Sequence, residues 1–152
     1  MKNVMTLALT LALSASAAFA ADHMTQVAAE ARELASDYRK MTVTLKNKNF
    51  PAQELRDEMK DAEIALTKVK GLVNKYQASN PSLTAAQQKD WKLVQDLVAL
   101  MAIFQNRKTE LLDSGDPHKK RGSIQAEAQA LVTRATLLEQ AALRLAGGKL
   151  GS

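Results

Sequence analysis

The chain contains no cysteine. That excludes disulfides, thiol redox chemistry, covalent haem attachment and a lipid anchor on a terminal cysteine. Histidine is almost as scarce, with His23 and His118 the only two. No Glu-x-x-His pair of the di-iron kind is present, no glycine loop suits a phosphate, and no serine has a histidine placed to serve it as base. Aromatic side chains are few: beyond residue 20 they are Tyr38, Phe50, Tyr76, Trp91 and Phe104. A protein that stacks nucleic-acid bases needs more rings, interleaved with arginine, so nucleic acid is set aside. Long apolar runs are missing as well. Beyond residue 20 the longest is Leu97 to Phe104, eight residues or ~12 Å of helix. A bilayer core is ~30 Å thick, so the sequence predicts no membrane-spanning segment there. These absences point to a protein without catalytic residues and without a resident cofactor.

What is present starts with the first twenty residues. Met1-Lys2-Asn3 is short and positively charged, Val4 to Leu13 is apolar apart from threonines, and Ala18-Phe19-Ala20 has the small-x-small pattern of a signal-peptidase site. This predicts a secretory signal peptide over 1–20 and a periplasmic or secreted protein beginning at Ala21. The remainder, 21–152, is one domain's length and can bury roughly two thirds of its unfolded surface. Removing Lys2 with the leader leaves 20 basic residues against 16 acidic ones, a net charge of +4. That excess permits an acidic partner without requiring one.

Apolar residues then recur at steps of three and four. One set is Met24, Val27, Ala31, Leu34, Tyr38, Met41 and Leu45; a second is Leu55, Met59, Ala62, Leu66, Val69, Val73 and Tyr76. The last is Ile124, Ala128, Leu131, Ala135, Leu138, Ala142 and Leu145. Such stripes belong to helices packed nearly parallel or antiparallel. Between them, Trp91 to Phe104 spreads its apolar residues over about half the helical circumference. That helix is either the most buried or has a second apolar surface to cover. The breaks at 47–51, 78–83 and 114–122 are short, which makes sequential helices antiparallel. The sequence therefore predicts an all-α, up-down-up-down antiparallel four-helix bundle, with helices at about 23–46, 52–77, 84–113 and 123–146. Three helices, one of them long and bent, is the alternative. Exported b-type cytochromes are bundles of similar size that hold haem between an early methionine and a late histidine. Met24 suits the first position, but the last helix has no histidine, so the resemblance is one of architecture and not of site.

Four features carry chemistry. A free amine at Ala21, the amides of Asp22 and His23, and the His23 imidazole form a square-planar nitrogen set suited to Cu(II) or Ni(II). Leu83-Thr84-Ala85-Ala86-Gln87 resembles the LTxxQ pentapeptide of the Spy/CpxP class of exported chaperones and stress-response proteins, which usually carry it twice; here it occurs once. That resemblance implies a chaperone-like role, while the same Thr84 and Gln87 also spell a helix-starting capping box. Lys46, Lys48, Arg107, Lys108, Lys119, Lys120 and Arg121 gather where the first and third loops meet, and suit an anion or acidic partner. Those at the start of the last helix oppose its dipole, which a bound phosphate, lipid headgroup or acidic peptide would offset. Ile64 and Ile103 lie opposite the core stripes of their helices; joined in one patch they would mark a client or dimer surface. The expectation is a non-enzymatic exported bundle that binds a protein or an anionic envelope component, with pairing to a second copy as one form of contact. The alternative is a carrier of a small ligand or metal ion.

Overall fold

The computed structural model describes residues 2–113 and 115–147, with side chains over 17–107, 110–113 and 115–147. They form a compact four-helix, all-α bundle: α1 (Lys2–Thr44), α2 (Ala52–Ala78), α3 (Ala85–Lys108) and α4 (Arg121–Leu145). A five-residue π-turn, Thr109–Asp113, extends α3. No strand occurs among the described residues.

Local chemistry sets the helix ends. The Thr84 N–H donates to Gln87 Oε1 at 2.9 Å, and the Gln87 N–H donates to Thr84 Oγ1 at 3.2 Å. This reciprocal capping box satisfies two donors that an opening helix leaves orphaned. Pro51, with φ −68°, leads into α2; a proline there loses no helical hydrogen bond. Asn80 just beyond α2 takes a left-handed φ of 46°, and Gly147 beyond α4 has φ 76°. Asparagine and glycine are the residues that end helices this way at least cost.

Two boundaries differ from the sequence reading. α1 does not begin near residue 23 but runs unbroken from Lys2, because the alanine-rich stretch on either side of the Ala20–Ala21 bond forms helix readily. Ala20 itself is only 5% exposed. The predicted 84–113 helix is α-helical to Lys108 and then widens into the π-turn.

Every residue of the three predicted stripes is buried. α1 packs most extensively on α4 and α2, and α3 packs on α4, while the α2–α3 seam is the thinnest. The α3–α4 register is antiparallel: Asp90 pairs with Arg144 at 2.7 Å and Arg107 with Glu127 at 2.8 Å. The α2–α3 seam is closed at one end by the Tyr76 and Trp91 rings, whose centroids lie 4.9 Å apart. At the other end the Arg56 guanidinium donates to the Leu112 carbonyl at 3.1 Å.

Candidate functional site

α3 has two apolar surfaces. Val94, Leu97, Val98, Met101 and Phe104 face the core and are buried. Leu100 and Ile103 turn outward and are 43% and 54% exposed, and Leu137 on α4 is 41% exposed. The register fixed by the two α3–α4 ion pairs puts Leu137 level with Leu97 to Leu100. An exposed apolar strip thus runs along the α3–α4 seam, with Asp90–Arg144 at one end and Arg107–Glu127 at the other.

Ile64 is separate from that strip. It is half exposed, and the shallow groove around it is lined by Lys60, Glu63, Thr67 and Lys68, all residues of α2. An isolated surface apolar side chain of this kind is ordinary. Ile64 and Ile103 do not share a lined surface.

The first and third loops meet as the topology requires, with the His118 ring 4.4 Å from that of buried Phe50. Their basic residues fall into two groups. The Arg121 guanidinium donates to the Leu45 carbonyl at 2.8 Å, and the Lys120 ammonium donates to the Glu110 carbonyl. Arg56 joins them, bonding the Leu112 carbonyl and facing Asp113 at 3.8 Å. These carbonyls belong to the C-terminal ends of α1 and of the α3 extension, where helices leave acceptors unpaired and carry partial negative charge. The negative charge that compensates Lys120 and Arg121 is thus supplied by the neighbouring helices. Arg107 is held by Glu127, and the Lys108 side chain lies outside the described residues. Lys46, Lys48 and Lys119 are exposed. Sequence alone misses this division because backbone carbonyls carry no residue identity.

Ala21, Asp22 and His23 lie within α1. The Ala21 carbonyl accepts from Thr25 Oγ1 at 3.0 Å, and Asp22 Oδ2 accepts from Gln26 Nε2 at 2.8 Å. His23 is half buried, and its Nδ1 is enclosed with no hydrogen-bond partner among the described residues. Among the described residues no group of three or more histidine, aspartate or glutamate side chains is placed to hold a metal ion.

Two acids on α1 and α2 are perturbed. Thr44 Oγ1 donates to Glu58 Oε1 at 2.8 Å, and burial pushes the Glu58 carboxyl above its ordinary range. Burial also pushes the Tyr38 phenol up, with the nearby Asp37 charge adding to it. At the opposite end of the bundle from the basic loops, a cleft of about 220 Å³ lies between Ala20, Tyr76, Asn80, Pro81, Leu83 and Leu145. That is below the ~300–1,000 Å³ usual for small-molecule sites. No described helix is long and apolar enough to cross a membrane. Comparison with family models, with curated proteins and with solved structures finds no match to this chain.

Proposed function

We propose that this chain is an exported, non-enzymatic bundle that works by binding, with the α3–α4 strip as its contact surface for an apolar or partly unfolded protein segment. One observation carries the reading: Leu100, Ile103 and Leu137 remain exposed together on a bundle whose described residues bury no polar or charged residue. Apolar side chains gathered along one seam signify a contact surface in a way that scattered ones do not. The export component rests on the leader pattern of residues 1–20, and the non-enzymatic component on the scarcity of bases and nucleophiles. Lys46, Lys48 and Lys119 add a positive end that favours an acidic segment or an anionic envelope surface. The direct test is suppression of aggregation of reduced, unfolded α-lactalbumin. Wild type suppresses it, a Leu100→Lys/Ile103→Lys double variant does not, and Ile64→Lys behaves as wild type. Equal activity of all three removes the strip from the account.

A second reading is carriage of Cu(II) or Ni(II) at Ala21-Asp22-His23. The unpartnered His23 Nδ1 favours it, since the imidazole has no described hydrogen bond to give up. In a chain beginning at Ala21, the first N–H groups are also free of helical acceptors. Cu(II) titration of such a chain should produce a visible ligand-field band that His23→Ala and an N-terminal extension both abolish. No band means that the terminal turn stays helical.

A further inference from the structure

We infer that the occupant of the α3 surface is a second copy of this chain, docked antiparallel about a two-fold axis between Leu100 and Ile103. The inference rests on the reading of that surface as a contact site and names its partner. Asp96, Leu100, Ile103 and Arg107 fall at steps of four, three and four, within an arc of about 60° at 100° per residue. They form one ridge, which Lys92 continues toward the N-terminus, while Glu110 follows Arg107 in the π-turn. From N- to C-terminus the ridge presents cation, anion, two apolar residues, cation, anion. Read in the opposite direction, every charge changes sign.

Such a ridge is complementary to itself only when the two copies run antiparallel. A two-fold axis midway between Leu100 and Ile103 sets Leu100 of one copy on Ile103 of the other. Asp96 then meets Arg107 of the second copy, and Lys92 meets its Glu110. Each contact occurs twice, as in any isologous pair. A parallel or shifted pairing opposes like charges instead. Within one copy Asp96 is paired with Lys92 at 3.2 Å and Arg107 with Glu127 at 2.8 Å. The side chains of Lys92, Asp96 and Arg107 are 75%, 55% and 45% exposed, so each can also meet a charge from outside. The apolar centre supplies affinity, and the flanking charges fix direction and register.

Sedimentation velocity on protein expressed from the full-length sequence tests this. Wild type should show a reversible monomer–dimer equilibrium in the micromolar range. Arg107→Asp and Asp96→Arg each oppose like charges at two places per dimer, and each should weaken association by about tenfold or more. Combining the two reversals restores opposite charges and should return affinity to within about threefold of wild type. Ile103→Glu should also yield monomer while leaving the Arg107–Glu127 pair intact, so loss of that internal pair cannot explain the result. A wild type that is monomeric throughout, singles that dimerise like wild type, or a double variant that fails to recover each overturns the inference. If wild type is monomeric yet Leu100→Lys/Ile103→Lys abolishes aggregation suppression, the binding role stands and the second copy is wrong.

Discussion

The α1–α4 seam and the outer edge of α3 are built from different residues to opposite ends. Both of these helices bury small side chains: Ala28, Ala31 and Ala35 on α1, Ala128, Ala135 and Ala142 on α4. Alanine is the best helix former and lets helix axes approach closely, which accounts for the extensive packing of this pair. α3 instead carries large residues on both sides of its stripe, more than its two neighbours cover, and Leu100 and Ile103 stay exposed. Closeness of packing holds one pair of helices together, while surplus apolar surface on another leaves large side chains in solvent.

The largest effect separates the two faces of α3. Leu97→Asp puts a charge into the core and should unfold the chain or cost more than about 4 kcal/mol, read as loss of cooperative melting. Ile103→Glu, on the opposite face, should leave the melting midpoint of the monomer within a few degrees of wild type. Equal damage from both would mean that α3's outer face is also core.

Next comes a pair of identical enlargements. Ala135→Leu at the α1–α4 seam should cost about 1–3 kcal/mol in denaturant unfolding, because close-packed helices must move apart. Ala99→Leu, on the exposed side of α3, should change stability by less than about 0.5 kcal/mol. Similar values at the two sites would show that the α1–α4 seam is loose.

The basic end divides in the same way, at smaller size. Arg121→Ala removes a charged donor from the Leu45 carbonyl and should cost about 1–2 kcal/mol. Replacing Lys46, Lys48 and Lys119 with glutamate should leave stability unchanged and abolish salt-sensitive binding to anionic vesicles. Unaltered vesicle binding would exclude these lysines as a contact.

The smallest effect is a slope. Burial holds the folded Glu58 carboxyl above its ordinary value of 4.5, so near that value the folded chain binds more protons than the unfolded one. Its contribution is most favourable below 4.5 and is lost as pH rises through the raised folded value. Glu58→Gln, which keeps an acceptor for Thr44, should flatten the dependence of melting midpoint on pH in that range and raise the midpoint slightly at neutral pH.

Three of the four helices were legible because each has a single stripe, and a single stripe has one solution. Met24 through Leu45 had to face inward together, and they do. α3 was ambiguous because a half-circumference of apolar residues fits complete burial and a second surface equally well; only its neighbours decide, and α2 stands too thinly against it to cover both. The basic end was half legible. Lys120 and Arg121 are visibly misplaced for the dipole of their own helix, but the carbonyls of Leu45 and Glu110 that accept from them belong to the backbone and leave no mark in the sequence. The start of α1 is not legible for another reason: the small-x-small pattern at Ala18 to Ala20 reads as a processing site, and the same alanine-rich residues form continuous helix.

We propose that binding occurs on α3 beside Ile103 and not at the equally exposed Ile64. The absence of cysteine makes this directly measurable, since one introduced thiol can carry an environment-sensitive fluorophore at a chosen position. With Ile103→Cys so labelled, adding reduced α-lactalbumin or raising the protein's own concentration should shift emission to the blue, while the same label at Ile64→Cys should not respond. A silent probe at 103, or equal shifts at both positions, would mean that the outer face of α3 is not the contact surface.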